Sequence, residues 1–149
     1  MNSQHKPIAA SDRIIAAMIE LARCSKQHRI IVAGANSPQT MFDLHRRGYY
    51  RVATTATCGL PHGQYDTAFV EWQLHSTKAL EATLDWLVHF LTPTGVLAIW
   101  IDSRQCPDRH KLGSMLERLG FRVESGTRCE HGLAVSARRF DAAQQAVAA

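Results

Sequence analysis

Arg29-Ile30-Ile31-Val32-Ala33-Gly34-Ala35-Asn36-Ser37-Pro38 reads as a strand, a tight turn and the start of a helix. Four apolar residues, Ile30 to Ala33, run into Gly34, and Ala35 and Asn36 form the turn. Ser37 is a helix cap, and Pro38 suits the first helical position because its φ is pre-set and its missing N–H is not needed there. Such a unit opens a nucleotide-binding βαβ crossover, in which helix amides face an anion or a ribose. Loops of this kind use several glycines so that backbone can approach the ligand. Here Gly34 stands alone. The next two glycine-type positions hold Asn36, which tolerates left-handed backbone, and Pro38, which has no amide to offer.

Outward from this stretch, strands alternate with amphipathic helices. Residues 11–24 read as a helix capped by Ser11, with Ile14, Ile15, Met18, Ile19 and Ala22 as its stripe. The helix after Gly34 runs to about Arg47, carries Met41, Phe42 and Leu44 inward, and stops at Gly48. Short strands are expected at 50–54 and 67–71. A helix follows over about 78–91, with Leu80, Leu84, Leu87, Val88 and Leu91 on one face. Thr92-Pro93-Thr94-Gly95 turns into Val96 to Ile101, a continuous apolar run suited to a strand buried on both faces. A further helix starts near Pro107 or Asp108, presents Leu112, Met115, Leu116 and Leu119, and ends at Gly120. Strands at 121–124 and 133–137, joined by a polar loop, close the chain as an antiparallel hairpin. The alternation specifies a three-layer, Rossmann-like α/β fold with a mostly parallel sheet. The 50–54 strand is expected at one edge and the hairpin at the other. The chain reads as a single domain over 1–149, with 1–10 and 140–149 flexible.

Composition bounds the function. With 149 residues, 46% of them hydrophobic, the chain can build a sizeable core. No stretch approaches the roughly 20 apolar residues of a membrane span, and the N-terminus has no signal-peptide pattern, which together point to a cytoplasmic protein. The net charge is +4, but Arg46, Arg47, Arg104, Arg109, Lys111, Arg118, Arg122, Arg138 and Arg139 are scattered along the chain. A solvated basic surface is the expected reading and a nucleic-acid partner is not, although weak nucleic-acid association stands as an alternative. Cys24, Cys58, Cys106 and Cys129 form no C-x-x-C pair and read as reduced thiols. The couples Cys58/His62, Cys106/His110 and Cys129/His131 follow different strands. At about 4.8 Å per strand the first and last stand too far apart for one metal, so no metal site is expected.

Four segments in order carry a family resemblance: RIIVAGANSP (29–38), LPHGQYDTAFVEWQLH (60–75), ALEATLDWLVHFLTPTGVLAIWI (79–101) and LERLGFRVE (116–124). Together, over about residues 12–138, they resemble a class I S-adenosylmethionine-dependent methyltransferase, with Tyr65-Asp66 at that family's aromatic-Asp position. The resemblance implies S-adenosylmethionine as cofactor and a final β-hairpin. It also exposes two departures. The acidic residue of the first motif is replaced by Val32, and the second strand, which in the family ends in a ribose-binding carboxylate, ends here in Val52-Ala53-Thr54-Thr55. The span from Val52 to Asp66 is too short for the usual contents, so one βα unit reads as deleted.

The candidate cofactor-binding residues are accordingly Gly34, Asn36, Ser37, Thr54, Thr55 and Trp72, with the threonine hydroxyls standing in weakly for the carboxylate and Trp72 placed to face a planar group. Glu71 and His75, just past a strand end, are the candidate general base or substrate ligand. The functional expectation is a methyltransferase-fold module with an eroded S-adenosylmethionine site, binding cofactor weakly or not at all and self-associating as a homodimer. The alternative is a minimal active methyltransferase acting on a small molecule or a protein.

Overall fold

The computed structural model describes residues 5–34, 37–54, 63–72, 77–102, 109–129 and 132–140. In chain order the elements are α1 (His5–Ala22), β1 (Ile30–Gly34), α2 (Ser37–Arg46), β2 (Val52–Thr54), β3 (Tyr65–Trp72), α3 (Thr77–Leu87), β4 (Leu91–Asp102), α4 (Arg109–Arg118), β5 (Phe121–Cys129) and β6 (Gly132–Arg139). One six-stranded sheet runs in the order β2-β1-β3-β4-β6-β5. β1 to β4 pair in parallel, and β6 runs antiparallel between β4 and β5. The edge positions of β2 and of the hairpin are those the crossover rule anticipates.

Each face of the sheet buries its own core. Ile30, Val32 and Phe69 pack under Ile15 and Met18 of α1 and Leu44 of α2. Ile31, Val70 and Ile99 pack under Leu80 and Leu84 of α3 and Leu116 of α4. Both cores meet on β4, where Val96 to Ile101 are all buried, as expected for a strand covered on two sides.

Several boundaries differ from the sequence reading for identifiable reasons. α1 begins at His5, so Ser11 lies inside the helix and is not its cap. Pro7 falls in the first turn, where proline is tolerated. In α2, Leu44 is fully buried but Phe42 is 57% exposed and Met41 only half-buried. Two residues advance a helix by more than half a turn, so Phe42 stands opposite Leu44. The buried stripe is instead Ser37, Thr40, Asp43 and Leu44.

α3 ends at Leu87 and tightens into a 3-10 turn over Val88–Phe90, so Leu91 opens β4 and does not extend the helix. Pro93 drives Thr92 toward extended backbone, which stops the helix short. Tyr65 pairs with Leu91 and Thr67 with Val96, so Thr92-Pro93-Thr94-Gly95 remains an excursion within the strand. The hairpin strands are longer than their hydropathy suggests. β5 exposes residues 122–127, and its pairing rests on backbone bonds, the Ser125–Ser136 hydroxyl pair at 2.9 Å and the Arg138–Glu124 ion pair at 3.1 Å.

Asp66 ties the opposite, amino-terminal edge together. Its carboxylate accepts the Arg29 backbone N–H at 2.9 Å, fixing the start of β3 beside the start of β1.

Candidate functional site

The ends of β1, β2 and β3 meet at the carboxyl edge of the sheet, where open α/β folds place their ligands. Gly34 closes β1 at φ 117°, level with Glu71 of β3. A Cβ on residue 34 would collide with the Glu71 carbonyl oxygen, so both the dihedral and the strand spacing require glycine. Ser37, the first residue of α2, donates its hydroxyl to the Gly34 carbonyl at 2.7 Å. The side chain read as a helix cap thus binds back to the strand.

Glu71 and Trp72 project to opposite faces, as neighbours on a strand do. Trp72 is 7% exposed and packs into the α3–α4 core. Glu71 is half-buried and lines a cavity of about 30 Å³ with Gln39, Thr40 and Asp43 of α2 and Val32 of β1. That volume admits water-sized occupants and not a nucleoside. Asp43 is held there by Gln39, whose amide donates to its Oδ1 at 3.1 Å, and by the Arg46 guanidinium at 3.7 Å. Asp43 and Thr40 escaped the sequence reading because the apolar residues of α2 drew attention to the wrong stripe. Ser37, Thr40 and Leu44, spaced i, i+3 and i+7, carry the signal that would have found them.

Thr54 ends β2 opposite Val32 and is buried at 7% exposure. On the α3 side of the same edge an open groove of about 540 Å³ runs past Ala33 and Gly34, walled by Ala82, Thr83 and Trp86. Trp86 is 41% exposed and packs tilted against Phe90, ring centroids 4.4 Å apart. Asn36, Thr55 and His75 lie outside the described residues, and the side chains of the three Cys/His couples do as well. Among the described residues no group of three His, Cys, Asp or Glu side chains is placed to hold a metal, and no helix is long and apolar enough to cross a membrane.

The sequence matches no protein-family model and no curated protein. The structure is similar to many solved ones. Against a Burkholderia thailandensis 1,6-didemethyltoxoflavin-N1-methyltransferase, solved with 1,6-didemethyltoxoflavin and S-adenosylhomocysteine bound, the TM-score is 0.65 at 18% identity, covering 89% of this chain and 79% of that one. An Aquifex aeolicus S-adenosylmethionine-dependent methyltransferase gives 0.58 at 14% identity, covering 85% and 89%. This chain has the class I S-adenosylmethionine-dependent methyltransferase fold. A [4+2]-cyclase aligns as well, with a TM-score of 0.61 at 11% identity over 87% and 80% of the two chains. The architecture therefore does not by itself specify methyl transfer.

Of the residues the resemblance implies for the cofactor, Gly34, Ser37, Thr54 and Trp72 are described. The last residue of β2 is the buried Thr54, and β2 contains no carboxylate. β2 ends at Thr54 and β3 begins at Tyr65, with residues 55–64 between them.

Proposed function

We propose that this chain is a methyltransferase-fold binding module whose S-adenosylmethionine site is eroded, and that it pairs with a second copy of itself. The observation that carries the first part is Thr54, buried and neutral at the end of β2. A carboxylate there accepts charge-assisted hydrogen bonds from a ribose diol, worth about 1.5–3 kcal/mol. Its loss alone weakens binding by roughly ten- to 150-fold. The second part is supported by the open groove beside Ala33 and Trp86, on the face that a deleted helix would otherwise cover. Calorimetric titration with S-adenosylmethionine and S-adenosylhomocysteine is the test. The expected result is weak or absent heat, and stoichiometric low-micromolar binding would reverse the reading. Light scattering at high concentration should report a dimer, and a monomer there would remove the pairing.

A second reading, a minimal methyltransferase acting on a small molecule or a protein, is favoured by one observation. Glu71 lies level with Gly34 at the ligand-binding edge, where with His75 it would serve as general base or substrate ligand. Tight cofactor binding would promote this reading and make Glu71 and His75 the first residues to replace.

A further inference from the structure

The amino-terminal edge of the sheet carries a charge concentration that the linear sequence hides. Residues 23–29 (RCSKQHR) and 45–51 (HRRGYYR) contain Arg23, Lys26, Arg29, Arg46, Arg47 and Arg51 with no Asp or Glu in either segment. β1 and α2 separate them in sequence, and the fold joins them. Ile30 donates its backbone N–H to the Arg51 carbonyl at 2.8 Å, and the Tyr49 hydroxyl donates to the Cys24 carbonyl at 3.5 Å. The Lys26 side chain lies 3.3 Å from where a Cβ on Gly48 would stand.

Nearby acids neutralise only part of this charge. Asp43 engages Arg46 at 3.7 Å, and Asp66 is occupied by the Arg29 amide. Glu20 lies beside Arg47 at the margin. Arg23, Lys26 and Arg51 are exposed and make no ion pair among the described residues. Arg23 holds φ 51° at the end of α1, a left-handed position that favours glycine, so the charge is kept there against the backbone preference.

Aromatic surface adjoins the cations. Tyr50 is 75% exposed, and its ring stands 6.2 Å from that of His45. Phe42, 57% exposed, lies one turn back on the same face of α2 as His45 and Arg46.

We propose that this edge binds single-stranded nucleic acid, the guanidinium groups tracking phosphates and Tyr50 stacking on a base. Exposed rings flanked by cations are the elements of a sequence-tolerant single-strand surface. An anionic membrane would use the same charges. The preference for arginine over lysine, five to one in the two segments, favours nucleic acid, because guanidinium matches phosphate with a planar fork and stacks on bases. The surface lies at the opposite edge from the cofactor site and does not depend on how that site is read.

The test is fluorescence anisotropy on the full chain with a labelled single strand of about 20 nucleotides, the matching duplex and phosphatidylserine vesicles, across a salt series from about 50 mM. Three to six phosphate contacts give a slope of log K against log salt of about −2 to −4. Tyr50→Ala should weaken single-strand binding about five- to 150-fold and leave the slope unchanged. Arg23→Gly should flatten the slope by about 0.7 while melting no lower than the parent, since glycine relieves the left-handed backbone. That variant separates loss of binding from loss of fold. Absence of salt-dependent binding overturns the proposal, as does equal or tighter binding to duplex or vesicles, or a Tyr50→Ala affinity equal to the parent's.

Discussion

Replacing Gly34 by alanine should damage the fold twice over, through backbone strain and through a collision with the neighbouring strand. At φ 117° the backbone of residue 34 is well outside the left-handed well that alanine can visit. Holding an L-residue in such a region costs about 1–3 kcal/mol. The new Cβ also meets the Glu71 carbonyl, which is backbone of the neighbouring strand and cannot swing aside as a side chain would. Opening the β1–β3 ladder at its last rung sacrifices a hydrogen bond worth about 1 kcal/mol. The expected loss is therefore about 2–4 kcal/mol, a fall in melting temperature of roughly 5–15 °C for a domain of this size. Urea and thermal unfolding followed by far-ultraviolet circular dichroism would measure it. A loss below about 0.5 kcal/mol would refute the claim that this turn has one admissible residue.

Three further outcomes are expected. Gly113→Ala, in α4 with no atom within 4 Å of the added methyl, should stabilise by about 0.5–1 kcal/mol in the same melts. Asp66→Ala should cost about 1–3 kcal/mol by orphaning the Arg29 amide, read as a lower urea midpoint. Burial pushes the Cys24 thiol from its ordinary 9.0 up to about 11. Alkylation of Cys24 at pH 8, followed by peptide mass spectrometry, should therefore run about a hundredfold slower in the native than in the unfolded chain. Because the folded pKa is the higher one, this thiol's contribution to stability is complete below about pH 9 and is lost as pH rises towards 11.

What the sequence made legible was whatever depends on runs and periods. Val96 to Ile101 could only be a doubly buried strand, and Gly34 could only end β1, because each is specified by residues adjacent in the chain. The sheet order followed from crossover handedness once the elements were placed. α2 misled because two large apolar residues, Met41 and Phe42, outweighed a polar buried stripe. Hydropathy cannot tell a buried threonine beside a cavity from one in solvent. The hairpin was read short because an edge strand with an exposed face is held by backbone pairing and polar cross-strand contacts. Of the two basic segments only Arg46 and Arg47 enter the reading of scattered charge, because Arg23, Lys26, Arg29 and Arg51 join them only through the β1–β2 pairing.

The deleted βα unit has a geometric consequence for the cofactor edge. In the register Thr54 stands level with Val32 and Phe69, so the end of β2 and the start of β3 at Tyr65 lie about four residues, or roughly 13 Å, apart along the strands, on either side of β1. On the face that α3 covers, β1 and β2 end with Ala33, buried, and Ala53, half-buried, both packed into the α3–α4 core. Beside them runs the open groove, walled on one side by the half-exposed Trp86. An open surface beside an exposed ring is what the proposed pairing of two copies would cover. Trp86→Arg should then shift a dimer seen by light scattering to monomer, with an unchanged dimer refuting this face as the contact.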